Sequence, residues 1–119
     1  MKYIMLLLQV TVLFSFSNIE CIQDFISTNN RKPYVLDIGC GTGLLSMQAA
    51  RAGAAKVYGC EMFPSWCEVA RANVKENGLD NIVTIINKHS SKLIVKNKEH
   101  PRKYGIDISY LLTRSCKKV

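Results

Sequence analysis

The sequence predicts an α/β fold, an open and mostly parallel sheet of about four strands within three layers, and three observations predict it. Short β-branched and apolar runs alternate with helix-forming stretches from Tyr34 onward. The helical stretches close on glycine, at Gly53 and Gly78. The first apolar run leads straight into "GCGTG" (39–43), the kind of turn that faces ligand at the carboxyl end of a strand in such a sheet.

The elements follow in order. "YVLDI" (34–38) reads as a strand buried on both faces. "LLSMQAARAG" (44–53) has good helix formers and a glycine stop. "KVYGC" (56–60) reads as a second strand and "PSWCEVARANVKENG" (64–78) as a second helix, with Trp66, Val69, Ala70, Asn73 and Val74 sharing one face. "NIVTII" (81–86) is a third strand, centred on 82–86, and "GIDISYLL" (105–112) a fourth over 106–112. Strand, helix, strand, helix, strand implies right-handed crossovers and a doubly wound sheet. The expected domain is therefore 34–113, after a leader and polar linker over 1–33 and before a basic tail over 114–119.

The flanks are less regular. "MKYIMLLLQVTVLFSF" has Lys2 ahead of an apolar run, with Ser15 and Ser17 spaced as small residues before a signal-peptidase cut. It reads as a secretory signal, as a buried helix, or as a start that does not belong to the fold, and with Gln9 and Thr11 it is too short and too interrupted for a membrane span. From Asn18 to Pro33 the composition turns polar, and "STNNRKP" reads as a loop.

Lys and Arg number 16 against 9 acids. From Lys88 onward the excess is nine to two, yet no aromatic residue is interleaved in a stacking pattern, so a solvated basic face is favoured over a nucleic-acid surface. The five cysteines, at 21, 40, 60, 67 and 116, form no C-x-x-C pair and read as reduced, mostly buried hydrophobes. No metal is expected.

Spacing narrows the ligand of the glycine turn. A dinucleotide fingerprint needs a small residue at 44, where the chain has Leu44, and no Gly-Lys-Ser/Thr follows for a phosphate loop. Asp37 instead precedes Gly39, Gly41 and Gly43 at alternate positions, and Glu61 ends the second strand 24 residues later. D-x-G-x-G-x-G after a first strand, followed by a strand-end acid, resembles motif I and the ribose-binding acid of class I S-adenosylmethionine-dependent methyltransferases, a Rossmann-like fold.

"VLDIGCGTGLLSMQAARAGAAKVYGCEMF" is similar to the protein arginine methyltransferases, whose usual pattern is G-T-G-[IL]-L-S-x-x-A-x-x-A-G-A, and "NKHSSKLIV" (87–95) is closest to the branch numbered seven, the type III enzymes. The match runs from Tyr34 to Thr113. The resemblance implies S-adenosylmethionine as cofactor, an arginine-containing protein as substrate, and a cytoplasmic or nuclear location unless the leader is a working signal. It implies that Asp37, Gly39 and Gly41 lie beside the methionine portion of the cofactor, with Cys40 and Gly43 in the same turn, Glu61 at the ribose, and His89 and Ser90 near the adenine. Cys40 departs from the family's usual Thr or Ser.

Members of that family carry two glutamates after the fourth strand that grip the guanidinium. Here Arg114 stands where the first is expected, so the chain reads as an incomplete enzyme that does not methylate arginine by itself. A non-catalytic cofactor-binding fragment, or a small basic interaction protein, is the alternative. With Ile106, Ile108 and Leu111 on an uncovered fourth strand, self-association through the sheet is also expected.

Overall fold

The computed structural model describes residues 19–92 and short strands at 95–96, 106–107, 110–112 and 117–118. In chain order the elements are α1 (19–29), β1 (Tyr34–Ile38), α2 (Leu44–Arg51), β2 (Lys56–Glu61), α3 (Pro64–Glu76), β3 (Val83–Asn87), a 3-10 turn (Ser90–Lys92), β4 (Val95–Lys96), β5 (Ile106–Asp107), β6 (Tyr110–Leu112) and β7 (Lys117–Lys118). The main sheet has the order β3-β2-β1-β6-β7. β1 pairs parallel with β2 on one side and with β6 on the other, and β2 pairs parallel with β3. Chain order therefore reverses at β1, which makes its carboxyl end the switch point where open α/β sheets take their ligands.

Register explains the core. Val35, Val57 and Val83 lie side by side across the three strands. They form one face of the sheet, and against it pack Ile22 and Phe25 of α1, Met47, Ala49 and Ala50 of α2, and Cys67, Ala70 and Val74 of α3. The opposite face carries a smaller cluster, Leu36 and Cys60 flanked by Ile38 and Tyr58. All three described helices thus cover one face, including both helices read from the sequence, and among the described residues no helix covers the other.

Four expectations change. Residues 19–29, expected in a polar linker, are helical, and Ile22 and Phe25 are buried in the core. Cys21, Ile22, Phe25 and Ile26 recur at helical spacing, but Glu20, Gln23 and Asp24 between them give the segment a polar average. The helix ends at Asn30, whose positive φ of 50° suits a left-handed terminal residue and whose N–H bonds to the Ile26 carbonyl at 2.9 Å. The packed chain therefore begins well before Tyr34.

In α3 the buried stripe is Cys67, Ala70 and Val74, while Trp66 and Val69 stand 47% and 43% exposed. The stripe is rotated from the expected face toward Cys67. The expected fourth strand, 106–112, is divided: Ile106–Asp107 pairs with β4 in a separate two-stranded sheet, and only Tyr110–Leu112 joins β1. In the expected basic tail, Lys117–Lys118 pairs antiparallel with β6. The side chains of Ile106, Ile108 and Leu111, and the leader over 1–17, lie outside the described residues.

Candidate functional site

The site begins where β1 ends. Beyond Ile38 the chain turns with Gly39 at φ 69° and Gly41 at φ 52°, values that an L side chain rarely adopts. Both the Gly39 and Cys40 N–H groups donate to the Cys60 carbonyl, at 2.8 and 3.1 Å, which folds the turn over the end of β2. Among the described residues, a Cβ at Gly39 or Gly41 would meet no atom within 4 Å beyond its own chain neighbours. The turn therefore presents bare backbone to open space. Gly43 differs: a Cβ there would stand 3.5 Å from that of Ala70, where the start of α2 crosses α3.

β2 delivers Glu61 beside this turn. Its carboxylate is largely buried and accepts the Gly41 N–H on Oε2 at 3.1 Å and the Phe63 N–H on Oε1 at 3.2 Å. Each carboxylate oxygen can accept twice, and among the described residues each accepts once. The surrounding backbone is fixed from α3 and β3: the Cys67 thiol donates to the Glu61 carbonyl at 3.3 Å, and the Asn87 amide donates to the Glu61 and Met62 carbonyls at 3.0 and 3.1 Å.

A cleft of about 180 Å3 opens at these strand ends. Ile38 and Gly39 line it from β1 and its turn, Cys60 to Phe63 from β2, and Lys88 to Ser90 from the segment after β3. Met62 and Phe63 are half exposed there and supply an apolar rim. His89 holds its ring through Nδ1, which lies 2.7 Å from the Ser91 hydroxyl and accepts the Ser91 N–H at 3.2 Å. In the neutral ring the proton is then on Nε2, leaving that nitrogen as a donor.

Of the sequence-predicted residues, Gly39, Glu61, His89 and Ser90 meet in this cleft. Gly41 adjoins it through its bond to Glu61. Asp37 and Cys40 are turned inward. Asp37 is 2% exposed and accepts the Ser46 hydroxyl at 2.7 Å; burial, opposed by this bond and a second from the Ser46 backbone, pushes its carboxyl up to about 6. Cys40 belongs to the helix-side core, and desolvation, reinforced by the charges of Asp37 and Glu61, pushes its thiol up to about 12. A thiol so protonated is a poor nucleophile at neutral pH. Burial likewise raises the Cys60 thiol.

Sequence reasoning passed over Ser46, Asn87, Met62, Phe63 and Lys88. Ser46 stood in the matched pattern without a role, and only the return of α2 against β1 gives it one. Among the described residues no group of His, Cys, Asp and Glu could hold a metal ion, and no helix is long and apolar enough to cross a membrane.

A glycine turn at the switch point, with a carboxylate on the next strand end, is the arrangement expected of a class I methyltransferase fold. The family model described as ribosomal protein L11 methyltransferase (PrmA) matches residues 18–104, and the chain belongs to that methyltransferase family. Arginine methyltransferases are among the proteins this chain is similar to. An arginine N(omega)-methyltransferase of Streptomyces achromogenes subsp. streptozoticus is 51% identical over 59 residues, covering 50% of this chain and 16% of that protein. Protein arginine N-methyltransferase 7 of Danio rerio is 44% identical over 70 residues, 59% of this chain and 10% of the relative. Among solved structures, the Trypanosoma brucei PRMT1 enzyme-prozyme heterotetrameric complex with AdoHcy matches with a TM-score of 0.57 and 36% identity, over 71% of this chain and 26% of that one. The chain thus spans between 10% and 26% of these proteins' own lengths, and over that part it shares their Rossmann-like methyltransferase fold.

Proposed function

We propose that this chain binds S-adenosylmethionine at the carboxyl ends of β1 and β2 and serves as the cofactor-binding part of an arginine N-methyltransferase. The observation that carries the reading is Glu61: a strand-end carboxylate held by two backbone N–H groups, each oxygen accepting once among the described residues, beside a turn of bare backbone. A pair of adjacent ribose hydroxyls is the ligand such a carboxylate suits, because each would make a charge-assisted bond.

The residues fit the group in other respects. The open space over Gly39 and Gly41 admits a chain in contact with backbone, where a side chain would stand in the way. Met62 and Phe63 offer apolar surface to a planar base, and His89 with Ser90 offers polar contacts at its edge. When bound, the cofactor supplies a methyl group activated by its sulfonium. The protein's part is to hold it in one orientation relative to an arginine nitrogen of a protein substrate, since positioning accounts for much of such a rate. A cytoplasmic or nuclear place of action accords with this reading.

Calorimetry with S-adenosylhomocysteine tests it. The full chain is expected to bind, and Glu61→Ala to abolish binding. Equal binding by both would remove Glu61 from the site, and no binding by the parent chain would overturn the cofactor reading.

A further inference from the structure

We infer that Ser46 is a positioning residue: its hydroxyl and backbone N–H hold the Asp37 carboxylate, and this pair ties the first turn of α2 to the end of β1 so that the Gly39–Gly43 turn between them keeps one shape.

The bond from Ser46 Oγ to Asp37 Oδ2 is 2.7 Å, short enough for a hydroxyl on an ionised carboxylate, and both residues are within 2% of complete burial. Ser46 is the third residue of α2, so its N–H is one of those that a helix leaves without an internal acceptor. The residue before α2 is Gly43, which has no side chain with which to cap it. Asp37 takes that part from the neighbouring strand, accepting both the hydroxyl and the N–H of Ser46. A carboxylate at a helix N-terminus is favoured electrostatically as well.

The packing around the pair leaves no slack. A Cβ at Gly59 would come within 2.9 Å of Ser46 Oγ and 3.0 Å of Cys40 Sγ, so the absence of a side chain on β2 is what makes room for it. With 2% of its surface exposed, Asp37 has little left to offer a ligand directly. It acts on the site through the turn, whereas the resemblance alone would place it against the cofactor.

The titratable groups that face Asp37 are Glu61 and Cys60 on β2 and Cys40 in the turn, and α2 contributes Ser46, which carries no charge. Burial and the Glu61 charge raise the Asp37 carboxyl to about 6, and the two Ser46 bonds oppose that rise. Protonation of Asp37 near that pH weakens both bonds and loosens the turn. The consequence for cofactor affinity rests on the S-adenosylmethionine reading; the tie itself does not.

The test is a pH titration of the full chain, without ligand, by NMR of 13C-labelled aspartate and 15N-labelled glycine. The Asp37 carboxyl and the Gly39 and Gly41 amides should move together with one midpoint near pH 6. Ser46→Ala should raise that common midpoint, and Asp37→Asn should remove that midpoint from the glycine signals, leaving only the response of Gly41 to its Glu61 acceptor. Glycine amides that ignore the Asp37 titration, or a midpoint unchanged by Ser46→Ala, would overturn the inference. Should Ser46→Ala fail to fold, the parent chain decides: protection of the Ser46 amide against hydrogen exchange should fall as pH drops through the Asp37 midpoint, and constant protection overturns the tie. In a separate calorimetric arm, Ser46→Ala should weaken S-adenosylhomocysteine binding about tenfold, the order expected for one bond to a charged group. A parent chain that binds no S-adenosylhomocysteine counts against the cofactor reading, while the titration still judges the tie.

Discussion

Asp37 and Glu61 sit near the ends of adjacent parallel strands, yet their surroundings differ in kind. Asp37 points to the helix face, where a hydroxyl and a backbone N–H from one residue of α2 take it up. Glu61 lines the cleft, held by N–H groups from two loops, each oxygen accepting once among the described residues. The same carboxyl chemistry therefore shapes the turn in one place and is available to a ligand in the other. Strand register puts both on one face, Asp37 opposite Gly59 and Glu61 two residues further along β2, so what separates the roles is how far each lies toward the open carboxyl end of the sheet.

The sharpest way to break this comparison is to remove each carboxylate in turn and measure S-adenosylhomocysteine affinity. Two charge-assisted bonds at roughly 1.5–3 kcal/mol each put the loss for Glu61→Ala at about 3–6 kcal/mol, a hundredfold or more in affinity. Asp37→Asn keeps an acceptor for Ser46 and should cost about tenfold or less. Equal losses at the two positions would place both carboxylates against the ligand and end the distinction.

The next largest effect is on stability against pH. The Asp37 carboxyl, raised to about 6 in the folded chain, lies above its unfolded value of 3.8. Between those values the folded state binds more protons than the unfolded one, so Asp37 makes stability fall as pH rises from about 4 to about 6. The loss is on the order of 3 kcal/mol at neutral pH. Denaturant unfolding of Asp37→Asn should show that downward slope removed. A parent chain whose stability rises through this window, with the variant parallel to it, would show Asp37 to be an ordinary exposed acid.

These two residues also show what was legible in the sequence. Glu61 and the glycine turn could be read directly, because order along the chain and a fixed spacing place them on neighbouring strand ends. The inward role of Asp37 could not be read, since it depends on where α2 returns against β1. The α1 helix was hidden for a different reason: Ile22 and Phe25 keep helical period, but acids and amides between them lower the average that marks a core segment. In α3, Trp66 and Val69 are apolar enough to claim the buried stripe, yet the narrow contact with the sheet is made by Cys67, Ala70 and Val74. "GIDISYLL" alternates apolar with small or polar residues as a single strand would, and its division between β4 and β1 is decided by pairing partners elsewhere in the chain.

A smaller effect is expected at Gly59, which serves the Asp37 side alone. A methyl group there would stand 2.8 Å from Ile85 Cδ1 as well as against Ser46 and Cys40. Gly59→Ala should cost about 1–3 kcal/mol, the usual penalty for overfilling a packed core. It should also shift the Gly39 and Gly41 amide resonances, because the displaced Ser46 hydroxyl is the anchor of the turn. An unaltered spectrum at full stability would mean that the pair has room to spare.

The smallest effect concerns Cys40, the thiol between the two carboxylates. Thr or Ser is commoner there in the family that the sequence resembles, and a small buried turn residue is the expected reading of Cys40. The structure places the side chain in the helix-side core, in one cluster with Met47, Cys67 and Ala70. Removal from water, with Asp37 and Glu61 both disfavouring a nearby negative charge, pushes the thiol up to about 12. At pH 7 the reactive thiolate is then only about one part in a hundred thousand, against a few per cent for a free cysteine. Iodoacetamide should accordingly leave Cys40 unmodified in the folded chain and label it after unfolding, as peptide mass mapping would show. Cys40→Ala removes one sulfur from a packed position and should cost about 1 kcal/mol, little beside the other changes. Labelling of Cys40 in the folded chain at the unfolded rate would mean that the turn opens readily, and the rigid side of the comparison would be lost.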